Sequence, residues 1–89
     1  MEEPIIDVTE VRVLSRYILE FTFETGESKV LDVEPLLKGP IFDELRRDYR
    51  LFKQVRADQE AGTITWPNGA DISPRTLYRR SRDVVPHAS

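Results

Sequence analysis

Trp66-Pro67-Asn68-Gly69-Ala70-Asp71-Ile72-Ser73-Pro74 places a large aromatic side chain, a turn and a helix start in close succession. Proline at 67 pushes the preceding residue toward extended backbone, so Trp66 ends a strand and Pro67-Asn68-Gly69 makes the turn after it. Ser73 followed by Pro74 reads as the N-cap and first residue of a helix running through Leu77 and Tyr78 to about Arg82. On the other side, Thr63-Ile64-Thr65-Trp66 follows the charged stretch Arg56 to Glu60 and Ala61-Gly62, which together read as a β-hairpin. Trp66 is in phase with Ile64. It is expected to pack against Ile64 and the face of Tyr17, Leu19, Phe21 and Phe23; the alternative is an exposed anchor for a partner.

Toward the N-terminus the period is two. From Ile5 to Leu14, Ile6 and Val8 share one face and Val11 and Val13 the other, so the phase slips near Thr9-Glu10, as in a bulged strand or one that crosses between two environments. Ser15-Arg16 turns the chain. Tyr17, Leu19, Phe21 and Phe23 then alternate with Ile18, Glu20, Thr22 and Glu24, the clearest half-buried strand in the chain. With Thr25-Gly26 as the turn, and Leu31 and Val33 on one face of the next run, residues 17 to 33 read as a hairpin.

The stretch Pro35 to Gly39 is too short for more than a 3₁₀ turn. Pro40 opens a helix with Asp43 and Glu44 in its first turn, and Phe42, Leu45, Tyr49 and Phe52 form an apolar stripe with Arg46, Arg47, Arg50 and Lys53 around it. Asp48 can N-cap a second helix, Tyr49 to Val55, so a break is expected there. The expected fold is α+β: a three-stranded antiparallel meander, one or two short helices, a second β-hairpin and a C-terminal helix. Residues 1–83 form the single domain and 84–89 a frayed tail.

Composition narrows the function classes. The absence of cysteine excludes disulfides and thiolate metal sites. The N-terminus lacks signal-peptide order and no apolar run approaches the ~18 residues of a membrane helix, so a soluble cytoplasmic protein is expected, with no membrane partner. Residues 1 to 34 hold nine acidic and three basic side chains, and 35 to 89 hold seven and ten. This asymmetry can steer a charged partner, but a pI of 5.1 does not suit a dedicated nucleic-acid binder.

No catalytic set is visible, and no enzyme activity, cofactor or metal is expected. His87, the one histidine, lies in the expected tail, and Glu20 and Glu24 fall on the polar strand face. Asn68-Gly69 reads as a turn requirement, not a phosphate cradle. Asp71 reads as bonding the turn backbone, with metal or substrate binding as the alternative. The final helix is the most arguable surface. Arg75, Arg79 and Arg82 recur at helical spacing with Arg80 and Tyr78 beside them, either to bind a phosphate or acidic partner or to balance the acidic meander.

Val30-Leu31-Asp32-Val33, Leu36-Leu37, Phe42-Asp43-Glu44-Leu45, Leu51-Phe52, then Trp66-Pro67-Asn68-Gly69-Ala70-Asp71 and Leu77-Tyr78, resemble a family of small bacterial proteins catalogued as a domain of unknown function, over residues 5 to 80. The resemblance implies an α+β domain with a three-stranded sheet, helices and a second hairpin, and defines no catalytic residues. Some relatives of that kind carry a C-terminal helix-turn-helix domain, and others are encoded beside a second small protein. Too few residues follow Tyr78 for the extra domain, which weakens a carry-over of DNA binding. The expected function is a non-enzymatic protein-interaction module whose partner is another small protein, as in a toxin–antitoxin pair. The alternative is a nucleic-acid accessory protein using Arg75, Tyr78, Arg79 and Arg82. Self-association is compatible with either.

Overall fold

Leu19, Phe21 and Phe23 are buried while Ile18, Glu20 and Thr22 alternate with them, and this period of two builds the central strand β2 (Ile18–Phe23) of the computed structural model, which describes residues 6–84. Strand β1 (Val8–Ser15) runs antiparallel to it. Val8 pairs with Phe23 and Glu10 with Thr22, so one extra residue sits in β1 where the sequence phase slips. Strand β3 (Ser28–Asp32) returns through a turn in which Gly26 has a φ of 92°, a value that favours glycine. The Asp32 carboxylate then accepts the Glu34 amide at the start of a 3₁₀ turn, Glu34–Leu36.

Helix α1 (Pro40–Arg47) stops at Asp48, whose extended backbone and side chain, accepting from the amides of Arg50 and Leu51, start helix α2 (Tyr49–Phe52). The break falls where expected, although α2 ends at Phe52, short of Val55. Leu45 and Phe52 carry the stripe into the core. Tyr49 does not join them and remains 37% exposed.

The expected second hairpin is two arms of a three-stranded antiparallel sheet, β4 (Arg56–Asp58), β5 (Thr63–Thr65) and β6 (Asp71–Ile72). Between β5 and β6 the Trp66 amide donates to the Ala70 carbonyl, and Gly69 has a φ of 93°. Helix α3 (Pro74–Arg80) begins at Ser73, whose hydroxyl accepts the Thr76 amide. It ends two residues earlier than expected. Ser81 is extended, and Arg82–Asp83 form strand β7 on the free edge of β3, turning the meander into a four-stranded sheet of order β1-β2-β3-β7. The Val84 amide donates to Ser28. Residues 85–89, with His87, lie outside the described residues, as does Ile5.

Both sheets and all three helices contribute to one core that includes Leu19, Phe21, Phe23, Leu45, Phe52, Ile64, Trp66 and Leu77. Trp66 is 3% exposed, as the strand phase implied. Its ring contacts differ from those expected: it packs on Phe42 and Phe52, and its indole N–H donates 2.8 Å to the Phe52 carbonyl.

Lys29 is buried on the core side of β3, opposite Phe21, and β7 supplies its counter-charge: its ammonium donates 2.7 Å to Asp83 and lies 4.5 Å from the centre of the Tyr78 ring. The Asp83 hydrogen bond holds the Lys29 pKa above its ordinary 10.5, against the opposing effect of burial. A raised lysine pKa adds stability that is complete below 10.5 and is lost as pH rises through the folded value. The Asp83 side chain is 71% exposed, so solvent limits the pair to ~1 kcal/mol or less. Urea midpoints are therefore expected to fall between pH 9 and pH 12 by slightly more for the parent than for Asp83→Asn. Equal falls would show that the pair adds nothing.

Candidate interaction surfaces

Within the Trp-Pro-Asn-Gly-Ala-Asp stretch, Trp66, Asn68, Gly69 and Ala70 serve the fold. The Asn68 amide nitrogen donates to the Ile41 carbonyl at 2.9 Å and to Glu44 at 3.3 Å, while its oxygen accepts the Ala70 amide, so one side chain fastens the turn to α1. Asn68, and not Asp71, thus bonds the turn backbone. An amide can donate and accept at once, whereas a carboxylate only accepts. Asp71 is exposed on β6, and Pro67 is exposed at the turn.

The arginine-rich surface is divided between two elements. Arg75, Tyr78 and Arg79 lie on α3, but Arg82 stands on β7 opposite Val30, so the helical spacing that grouped it with the others does not operate. Tyr78 is half-buried under the Lys29 ammonium, its ring edge-on to Phe23 and its hydroxyl donating to Glu27. Its ring and hydroxyl thus engage β2, β3 and the turn between them. Arg79 is not without an interaction partner either.

What periodicity did not identify is the outward face of the four-stranded sheet. Its rows follow from the register: Arg12, Glu20, Val30 and Arg82 lie side by side across all four strands, with Glu10, Thr22 and Ser28 in one flanking row and Ile18 and Asp32 in the other. Arg12 and Glu20 form an ion pair and the Thr22 and Ser28 hydroxyls share a hydrogen bond. Ile18 and Val30 are half-buried yet stand outside the core cluster. Together with Val84, which is 39% exposed, they line an open recess of about 610 Å³ bordered by Asp32, Arg80 and Arg82. The outward alternation of β2 and β3 carried this signal, but β7, which completes the recess, did not.

Among the described residues no group of three His, Cys, Asp or Glu side chains converges in the manner of a metal site, and no helix is long and apolar enough to cross a membrane. The architecture is that of a small α+β domain in which a four-stranded and a three-stranded antiparallel sheet share one core with three short helices. Residues 8–83 match the family described as "Protein of unknown function (DUF2442)", and the chain belongs to that family. No curated protein and no solved structure shows a significant match.

Proposed function

We propose that the protein is a non-enzymatic interaction module that receives another small protein on the outward face of its four-stranded sheet. The observation that carries this reading is the recess lined by Ile18, Val30 and Val84, an apolar strip rimmed by charges of both signs. Glu10, Glu20 and Asp32 balance Arg12, Arg80 and Arg82 on and around that face. Such a mixed rim suits a folded protein and not a polyanion, which needs a one-sign surface. A partnership of the toxin–antitoxin kind rests on the family resemblance, through relatives encoded beside a second small protein.

Tagged protein purified from its own cells is expected to retain one small protein in stoichiometric amount. Val30→Lys should lose it, while Arg75→Glu, a charge reversal away from the recess, should keep it. A lysine at 30 stands between Glu20 and Arg82, attracted by one and repelled by the other, so an unchanged circular dichroism spectrum is required to show that the sheet tolerates it. Retention of the partner by Val30→Lys, or recovery of nucleic acid in its place, would overturn this reading.

A further inference from the structure

We propose a second and independent docking surface: the corner where the β1–β2 turn meets the α1–α2 junction, in which Tyr17 and Tyr49 meet Arg16 and Lys53 and adjoin Arg46, Arg47 and Arg50 along the chain, binds an acidic segment of a protein partner. The corner is assembled by long-range contacts. The Tyr49 hydroxyl donates to the Arg16 carbonyl, the Tyr17 hydroxyl donates to the Arg46 carbonyl at 3.5 Å, and the two rings meet edge-on at 5.8 Å. Arg16, Tyr17 and Tyr49 line a recess of about 290 Å³.

Charge is what sets this corner apart. Five of the thirteen basic residues of a chain with net charge -3 belong to this turn and this junction. The ion pairs among the described residues are Arg12–Glu20, Lys29–Asp83 and Arg56–Asp58, so none of the five is neutralised. Asp43 and Glu44, one turn back on α1, form no ion pair with them, and Glu44 accepts from Asn68. Asp48, the one carboxylate between Arg46 and Lys53, is turned onto the α2 amides. Uncompensated like charges repel and lower the stability of the domain, a cost that an anionic partner removes.

Arg16 has a φ of 48°, which the two-residue hairpin loop between Ser15 and Ile18 requires of its first central residue at a cost of ~1 kcal/mol for a non-glycine residue, and the Tyr49 hydroxyl donates to its carbonyl. A glycine at this position therefore keeps the turn while removing the guanidinium.

Acidic protein fits better than single-stranded nucleic acid. Bases bind by stacking on free aromatic faces. The Tyr49 ring is instead stacked on Phe52, and the Lys53 ammonium lies 5.6 Å from its centre. What the corner offers is guanidinium forks for carboxylates beside a tyrosine-lined recess for one apolar side chain, and arginine and tyrosine dominate protein interfaces.

The test is fluorescence anisotropy with a labelled short peptide of glutamate and aspartate around a central leucine, and with a labelled single-stranded oligonucleotide, at low salt. Arg46→Glu with Arg50→Glu is expected to weaken peptide binding on the order of tenfold or more. Arg80→Glu with Arg82→Glu, an equal charge change elsewhere, should weaken it much less. Arg16→Gly relieves the backbone, so it is expected to melt no lower than the parent and still to bind the peptide more weakly, which separates binding from folding. No peptide binding by the parent, equal loss in both double variants, unweakened binding by Arg16→Gly, or tighter binding of the oligonucleotide through the same arginines would each overturn the proposal. A partner lost through Val30→Lys leaves this proposal intact, so the two surfaces fail separately.

Discussion

Trp66→Ala is expected to lower the unfolding free energy by about 3 to 5 kcal/mol, against roughly 4 to 13 for a domain of this length. The loss has two parts. The indole fills the space between Phe42 and Phe52, which cannot close without moving α1 and α2. It also donates to the Phe52 carbonyl, which would retain only the more distant Val55 amide. Trp66→Phe keeps most of the volume and loses the donor, so its cost should be nearer the ~1 kcal/mol of one hydrogen bond plus a small void. Urea denaturation of the parent and both variants measures this. Equal costs for Ala and Phe would assign the effect to the hydrogen bond; a melting point for Trp66→Ala within a few degrees of the parent would show that the ring contributes little.

Leu77→Ala should cost about 2 to 5 kcal/mol, because Leu77 is the one fully buried side chain of α3. The effect is expected to spread beyond the helix. Tyr78, the next residue, bridges Phe23, Lys29 and Glu27, and β7 follows directly. Hydrogen exchange is therefore expected to accelerate first at the Ser81 amide, bonded to Leu77, and at the Val84 amide, bonded to Ser28. A loss below 1 kcal/mol, with those amides as protected as before, would mean that surface contacts of α3 hold it in place.

These two positions show where the sequence was sufficient. Strand β2, the irregularity at Thr9, the 3₁₀ turn, the break at Asp48 and the cap at Ser73 each depend on residues a few positions apart, and period or capping chemistry reveals them. Strands β6 and β7 span two residues each and exist only because β5 and β3 offer free edges, so no local pattern announces them. Arg82 illustrates the cost: its spacing from Arg75 and Arg79 suits a helix, and only the extended Ser81 removes it from one. Lys29 was not legible in the sequence: it is in phase with Leu31 and Val33, but a lysine is not expected in a core and its partner lies 54 positions away. The basic corner was half visible, since Arg46, Arg47, Arg50 and Lys53 are near neighbours in the chain. Arg16 joins them through a contact spanning 33 positions, which no window of sequence contains.

The late placement of β7 bears on how the chain matures. Strands β1 to β3 and the 3₁₀ turn are complete by residue 36, but the edge of β3 and the charge of Lys29 wait for Arg82 and Asp83. During synthesis the domain therefore passes through an interval in which an open strand edge adjoins a lysine without its counter-ion. A bare edge invites pairing with a second chain, and an inward charge on it is a natural guard against such pairing. Lys29 is placed to guard that edge until Asp83 arrives, and it then pairs with the last strand.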